Sequence, residues 1–168
     1  MNATLELTAP VGEDRNTTPA RVKILLADDD PAVRQILCRL LADEGYAVLT
    51  AANGEEALAV AKSTSFDLVL LDLNMPIKDG WETFEDLANQ QPMLPIILIT
   101  ARPNQLFPAL ASGVVALLEK PLDFTTLFST IHNLLEEPLE IRLARATGRS
   151  TMFSYFPSNS GPPVRRNH

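Results

Sequence analysis

The chain has 168 residues, of which 46% are apolar and 21% charged, and this composition is ordinary for a globular domain. Residues 21–137 carry 8 basic and 17 acidic side chains, a balance that argues against direct contact with nucleic acid. The single cysteine, Cys38, excludes an intrachain disulfide, and no apolar run approaches the ~20 residues needed to span a bilayer. These features predict a cytoplasmic protein without a membrane partner.

The first twenty residues contain acids, prolines and threonines without periodic apolar positions. Residues 1–20 are therefore predicted to be a disordered leader and not a secretory signal. Beyond them, short apolar runs alternate with helical patterns. The predicted strands are 22–27, 46–51, 67–71, 95–99 and 114–119. Runs that are apolar almost throughout are typical of strands buried on both faces of a sheet.

Capping residues mark the predicted helices between these strands. Asp30 and Asn53 are predicted N-caps of the first two helices, and Asp123 is the predicted N-cap of the fifth. Apolar residues at helical spacing indicate a third helix around residues 81–88. Residues 101–113 contain two prolines and leave room only for a shortened fourth helix.

Five strand–helix units in succession predict an α/β domain over residues 21–137. Such a pattern forms a doubly wound, five-stranded parallel sheet with helices on both faces. In an open sheet of this kind, ligands bind outside the carboxyl ends of the strands, at the point where the strand order reverses. The residues that end each strand are therefore the first candidates for a functional site.

Polar side chains stand where four of the predicted strands end. Asp28 and Asp29 follow strand one, Asp72 ends strand three, Thr100 ends strand four and Lys120 ends strand five. Strand two delivers no charged group to this edge, as an edge strand can. Two carboxylates about 4 Å apart repel by roughly 4 kcal/mol at an effective dielectric near 20. The cluster is therefore expected to bind a cation or to raise a carboxyl pKa.

The side chains at this edge also predict its chemistry. Carboxylates without a histidine or thiolate partner favour a hard cation, magnesium or calcium. An aspartate nucleophile, a divalent metal ion, a lysine ammonium and a hydroxyl are the groups that stabilise a phosphoryl group in transfer. The pattern indicates phosphoryl chemistry on an aspartate.

Four short motifs resemble the signatures of the response-regulator receiver family. Each one alone is weak, but the four occur in order and each lies at a strand end. The resemblance covers about residues 21–137 and implies a flavodoxin-like strand order of 2-1-3-4-5. The motifs are Leu25-Leu26-Ala27-Asp28-Asp29-Asp30, Leu70-Leu71-Asp72-Leu73-Asn74-Met75-Pro76 with Asp79-Gly80, Ile99-Thr100-Ala101 and Glu119-Lys120-Pro121.

The resemblance implies a role for each site residue. Asp72 would accept a phosphoryl group from a phosphohistidine of a sensor histidine kinase or phosphotransfer protein. Mg²⁺ would be held by Asp28, Asp29, Asp72 and the backbone carbonyl of Asn74. Lys120 would bind the phosphoryl oxygens.

Two further expectations concern the response to phosphorylation. The resemblance implies that Thr100 would shift toward the phosphoryl group and report its presence. It also makes Lys120-Pro121 a candidate cis peptide.

The sequence departs from the family pattern in strand five and in the segment after strand four. The family usually has an aromatic residue three positions before the lysine, where this chain has Leu117. A leucine has no ring to switch between exposed and buried positions, which puts the usual coupling to Thr100 in doubt. Arg102 stands two residues after Thr100, and we hypothesise that it reaches the phosphoryl group and tunes its hydrolysis.

Residues 138–168 are predicted to form a basic, flexible tail. They carry 5 basic and 1 acidic side chains and are too short for a DNA-binding output domain. The apolar cluster at 152–156 leaves docking on the body or on a partner as the alternative.

The preferred interpretation is a single-domain response regulator whose output is protein–protein contact, with a homodimer left open. One rival is a receiver-fold binding module that is not phosphorylated. The other is a magnesium-dependent phosphatase of the haloacid-dehalogenase type. That class needs a second aspartate two residues after the nucleophile, where this chain has Asn74. The chain is therefore not expected to be an enzyme beyond its own phosphorylation and dephosphorylation.

Overall fold

The computed structural model describes residues 21–102, 104–112, 114–149, 152–158 and 164–166. The predicted disordered leader, residues 1–20, lies outside the described residues. Strands and helices alternate from the first described strand to the fifth helix, as predicted. The elements are β1 Lys23–Ala27, α1 Pro31–Asp43, β2 Ala47–Ala51, α2 Gly54–Ser63, β3 Leu68–Asp72, α3 Gly80–Gln90, β4 Ile96–Thr100, α4 Leu106–Ala111, β5 Ala116–Glu119 and α5 Phe124–Leu135.

The strands form one twisted sheet in which β1 to β5 are parallel. The order is β2-β1-β3-β4-β5-β6-β7, with β6 Phe153–Phe156 parallel to β5 and β7 Val164–Arg166 antiparallel to β6. The predicted order 2-1-3-4-5 is confirmed, and two strands extend it beyond β5. The strand order reverses between β1 and β3, so the carboxyl ends of these two strands flank the crevice.

Apolar side chains fill both faces of the sheet. One cluster packs β-strand residues against α2, α3 and α4, and the other packs them against α1 and α5. All five residues of β3 and all five of β4 are buried. Both faces of such a strand pack against helices, so its residues are apolar at successive positions and do not alternate with polar ones.

Side-chain caps fix where the helices begin. Asp30, Asn53 and Asp123 each accept a hydrogen bond from a backbone N–H in the first turn of the helix that follows, as predicted. Asp79 caps α3 in the same way, although only its motif was noted in the sequence. The short fourth helix is confirmed as α4, a helix of six residues.

The described part of the predicted flexible tail differs from the expectation. Residues Leu139–Ala146 form a sixth helix, α6, and 153–156 form β6 on the free edge of β5. Arg142 donates hydrogen bonds to the carbonyl oxygens of Leu134 and Leu135, which ties α6 to the end of α5. The apolar pattern alone did not reveal these contacts, because Arg142 is a polar residue and β6 pairs with a strand that α5 and α6 separate from it in the chain.

No helix among the described residues is both long enough and apolar enough to cross a membrane.

Candidate functional site

The carboxyl ends of β1, β3, β4 and β5 meet at one edge of the sheet. Asp28 directly follows β1, Asp72 ends β3, Thr100 ends β4 and Lys120 directly follows β5. Asp28 and Asp72 are each 1% exposed, and Thr100 is fully buried. The strands therefore deliver two buried carboxylates, a buried hydroxyl and an ammonium to one place, as the sequence predicted.

Three acidic side chains lie close enough to share one cation. Carboxylate oxygens of Asp28, Asp29 and Asp72 lie within 4.8 Å of one another, with Asp29 exposed to solvent. Oxygen ligands from carboxylates are those that Mg²⁺ and Ca²⁺ prefer. The triad that the sequence singled out is thus a geometric unit.

Lys120 bridges the two buried carboxylates. Its Nζ lies 2.9 Å from Asp28 Oδ2 and 3.1 Å from Asp72 Oδ2. The Lys120-Pro121 peptide bond is cis, as predicted. The ammonium offsets part of the repulsion between the carboxylates, because each oxygen faces a positive charge at hydrogen-bond distance.

Burial and charge act in opposite directions on these groups. Burial raises the pKa of Asp72 above its ordinary value, with Asp28 adding to the rise and Lys120 and the Asn74 N–H opposing it. For Lys120, burial lowers the pKa, but the hydrogen bonds and charges of Asp28 and Asp72 outweigh it and the net shift is upward. The lysine is therefore held in its charged form beside the carboxylates.

Backbone contacts orient Asp28. Its Oδ1 accepts a hydrogen bond of 2.9 Å from the backbone N–H of Asp30. The carbonyl oxygen of Asp28 accepts one of 2.6 Å from Arg34 Nη1, on the first turns of α1. Arg34 was missed from the sequence, because nothing marks a helix-surface arginine as a partner of the preceding loop.

The loop after β3 shapes the surroundings of Asp72. The backbone N–H of Asn74 donates to Asp72 Oδ1 at 3.2 Å. Gly80 lies against the same backbone, where an added Cβ would stand 2.3 Å from the Asp72 carbonyl oxygen and 2.5 Å from Leu73 Cα. The glycine of the sequence motif is therefore explained by close packing behind Asp72.

Thr100 is held by residues that follow β4 and β5. Ile99 is the register partner of Asp72, so Thr100 lies one residue further toward the edge. Its Oγ1 accepts a 2.9 Å hydrogen bond from the backbone N–H of Arg102, and its carbonyl oxygen accepts one of 2.7 Å from the backbone N–H of Lys120. The side chain of Arg102 is exposed, and its contact with a phosphoryl group stays a prediction.

The residues present fit a hard metal ion. Within the described part of the chain, Asn74 Oδ1 is buried and has no hydrogen-bond partner. The backbone N–H of the same residue contacts Asp72, and an unpaired buried oxygen is suited to a cation or to water bound to one. The donor set consists of oxygens, with no thiolate or imidazole in the cluster formed by the described residues. Such an acidic triad is typical of the Mg²⁺ site of receiver domains.

Comparison with protein families supports the resemblance. Residues 24–132 match the model of the response regulator receiver domain. The transcriptional regulatory protein GlrR of Escherichia coli (strain K12) is 38% identical over 116 residues, covering 68% of this chain and 26% of that protein. ZraR of Klebsiella oxytoca is 39% identical over 148 residues, covering 87% and 33%. The chain thus spans about a quarter to a third of these curated relatives.

Solved structures agree with the sequence relatives. The response regulator TrrA of Thermotoga maritima, in complex with Mg(2+)-BeF, is 34% identical with a TM-score of 0.64, covering 67% of this chain and 98% of that one. The chemotaxis response regulator CheY4 of Vibrio cholerae is 34% identical with a TM-score of 0.63, covering 68% and 98%. This chain belongs to the response regulator receiver domain family.

Proposed function

We propose that Asp72 accepts a phosphoryl group and that the protein signals by the change in structure that follows. The observation that carries this proposal is the convergence of Asp28, Asp72 and Lys120, with Lys120 Nζ within 3.1 Å of an oxygen of each carboxylate. Receiver domains are phosphorylated by histidine kinases. The donor is therefore a phosphohistidine of a sensor kinase or of a phosphotransfer protein, and the output is contact with a downstream protein.

The transfer is a displacement at phosphorus. An Asp72 carboxylate oxygen forms a bond to phosphorus while the bond from phosphorus to the donor histidine nitrogen breaks. Lys120 moves from pairing with carboxylates to pairing with phosphoryl oxygens, and its raised pKa keeps it charged for that role. Thr100 supplies a hydroxyl donor from the adjacent strand. Transfer to water later breaks the acyl–phosphate linkage and restores Asp72.

Asp28, Asp29, Asp72 and the Asn74 carbonyl would hold Mg²⁺. When bound, the ion would supply positive charge to offset the charge on the phosphoryl oxygens. The three clustered carboxylates support this assignment, and the buried side-chain oxygen of Asn74, Oδ1, is a further acceptor on the residue whose backbone carbonyl is the proposed ligand. The crystallisation of TrrA with Mg(2+)-BeF supports it from a relative.

Intact mass spectrometry tests the proposal. The full chain is incubated with acetyl phosphate and Mg²⁺, and we expect a gain of one phosphoryl group. The gain should be lost in Asp72→Asn and when a chelator replaces Mg²⁺. Lys78→Met is a matched control, because Lys78 also pairs with two acidic side chains but lies outside the site. A chain that stays unmodified with a competent donor and Mg²⁺ would contradict the proposal.

The intact-mass experiment and an aryl phosphate turnover assay together separate the rivals. A binding module that is not phosphorylated would gain no mass under any condition. A phosphatase would turn over an aryl phosphate, and Asn74 argues against that because it stands where the class needs an acid.

A further inference from the structure

The free edge of β5 is covered by a strand from the same chain. Ala116, Leu117 and Leu118 on β5 are in register with Ser154, Tyr155 and Phe156 on β6. Side chains alternate across the sheet, so Phe153 and Tyr155 pack into the cluster on one face while Phe156 packs into the cluster on the other. The β5 edge thus serves as a strand-binding surface whose occupant is the segment 153–158.

This strand is attached to the residue that precedes the site lysine. Glu119 Oε1 accepts a hydrogen bond of 2.5 Å from the hydroxyl of Tyr155, and Glu119 Oε2 accepts one of 3.2 Å from the backbone N–H of Ser158. Glu119 is also the register partner of Thr100 on β4. The carboxylate of Glu119 therefore holds the end of β6. The backbone of Glu119 is paired with Thr100 and is followed by Lys120, and these are the two residues expected to respond to a phosphoryl group.

Apart from its backbone pairing with β5 and β7, β6 is held by side chains that are mostly only partly buried. Of its four residues only Phe153 is buried, at 8% exposed, and the preceding Met152 is 55% exposed. By contrast, all five residues of β3 are buried. A strand of four residues with one buried side chain, near the border of the sheet, is among the parts of a structure that open at lower free energy than the central strands.

We propose that phosphorylation of Asp72 releases the segment 153–158 from the β5 edge, with Glu119 as the coupling residue. The inference rests on the proposed function of Asp72. In the unmodified protein, Lys120 faces two carboxylates and both oxygens of Glu119 accept hydrogen bonds from the segment 153–158. Turning Lys120 toward a phosphoryl group moves the adjoining Glu119 backbone and lengthens those hydrogen bonds. Release exposes the backbone groups of β5, which can then pair with another strand.

Tyr155 supplies an aromatic ring beside Leu117, the position at which the family usually has one. Leu117 is fully buried and has no polar atom to respond to the site. Its register partner Tyr155 supplies an aromatic ring on the neighbouring strand, with a hydroxyl that contacts Glu119. The aromatic reporter is thus carried by β6, which can leave the sheet, and not by β5, which cannot.

Hydrogen–deuterium exchange on the full chain tests the release. Uptake over residues 152–158 is compared for the protein alone and the protein with Mg²⁺ and beryllofluoride, which mimics a bound phosphoryl group. We expect uptake in this segment to rise several-fold on addition. Intact mass after acetyl phosphate treatment of the same preparation shows separately whether Asp72 is modified. Unchanged or reduced uptake in a protein that does gain a phosphoryl group would overturn the release and leave the proposed function standing.

Two variants distinguish coupling from simple support. In Glu119→Gln we expect high uptake in both states, so that the difference between them disappears. In Tyr155→Phe, which removes only the hydroxyl, we expect a smaller difference than in the natural chain. A residue that only supports the strand would raise uptake equally in both states and keep the difference, and that result would overturn the coupling role. Asp72→Asn, which lacks the acceptor carboxylate, should show no change on addition of acetyl phosphate and Mg²⁺.

Discussion

The acidic edge of the sheet and the segment 153–158 beside it are held in place in opposite ways. At the acidic edge, Asp28 and Asp72 are almost completely buried and stand at the ends of strands whose apolar side chains fill the core. In the segment 153–158, the one buried residue is Phe153, and a single carboxylate, that of Glu119, holds the far end. The first region is fixed by the core of the domain, whereas the second is fixed by backbone pairing with its neighbouring strands and by a few side-chain contacts.

The comparison indicates that the acidic edge is the rigid region and that the segment 153–158 is the region able to respond. Buried carboxylates need a rigid core around them. Each one destabilises the fold unless its hydrogen-bond and charge partners stay in place. An output segment needs the reverse, since a small shift at the site must be enough to change its position. The border between the two regions is the pair Glu119 and Lys120.

Truncating one core residue in each region should give the largest contrast. Leu70 is fully buried in β3, so Leu70→Ala is expected to lower the free energy of unfolding by about 2–5 kcal/mol. Phe153→Ala removes a larger side chain, yet we expect less than about 1 kcal/mol, because β6 detaches locally before the domain unfolds. Urea unfolding measures both. An equal loss in the two variants would show that β6 is part of the cooperative core.

Removing the site lysine should be the next largest effect. Lys120→Met leaves the carboxylates of Asp28 and Asp72 without their cation, and we expect a loss of about 2–3 kcal/mol at neutral pH without Mg²⁺. The figure is below the ~3–5 kcal/mol of a fully buried pair because the Lys120 side chain is 23% exposed.

Added Mg²⁺ should restore more stability to Lys120→Met than to the natural chain, since it replaces the missing positive charge. Unfolding with and without Mg²⁺ measures this. Lys78 forms ion pairs with Glu82 and Asp86 outside the site. We therefore expect Mg²⁺ to stabilise Lys78→Met no more than it stabilises the natural chain. A Lys120→Met protein as stable as the natural chain in the absence of Mg²⁺ would argue against the charge balance described.

Gly80 offers a steric test of the acidic edge. Within helices, glycine to alanine ordinarily stabilises by up to about 1 kcal/mol. We expect Gly80→Ala to destabilise by about 1–3 kcal/mol instead, because the added Cβ would meet the backbone of Asp72 and Leu73. Thermal unfolding measures the stability, and the rate of modification by acetyl phosphate should fall with it. A stabilised variant with an unchanged rate would show that the loop yields without disturbing Asp72.

The hydroxyl of Tyr155 should give the smallest effect, with a distinct pH dependence. Burial and the Glu119 carboxylate raise the pKa of Tyr155 from 10.0 to about 12. Because the folded-state pKa is the higher one, the stabilisation is complete below pH 10 and is lost as the pH rises through about 12. We expect Tyr155→Phe to cost a few tenths of a kcal/mol at neutral pH, roughly the low end for a hydrogen bond, because local detachment of β6 limits the loss.

Ultraviolet titration of tyrosinate checks the assignment, because the chain has only Tyr46 and Tyr155. The difference between the natural chain and Tyr155→Phe should titrate near pH 12. A difference curve centred at the ordinary value would mean that Tyr155 does not hold Glu119 in solution.

The acidic edge could be predicted from the sequence because each of its residues is marked by its position at the end of a strand. Asp28, Asp72, Thr100 and Lys120 each end an apolar run, and parallel strands bring such ends together. The helix caps were predictable too, since a cap contacts residues two or three positions away. The exact ends of the strands were less predictable, and β5 begins at Ala116 instead of residue 114.

Contacts between distant parts of the chain could not be predicted. The pairing of β6 with β5 joins residues that α5 and α6 separate, and the short apolar cluster at 152–156 did not indicate a strand by itself. Arg34 reaches the Asp28 carbonyl, and Gly80 packs on Asp72, only because α1 and α3 dock as they do. Each of these depends on tertiary packing that no local pattern records.

Chemical trapping of the acyl phosphate tests the central claim most directly. Borohydride reduces an aspartyl phosphate to homoserine, so the modified residue can be located by peptide mapping after treatment with acetyl phosphate and Mg²⁺. We predict homoserine at position 72 and at no other aspartate. Homoserine at another position, or none in a protein that has gained a phosphoryl group, would contradict the assignment of Asp72 as the acceptor.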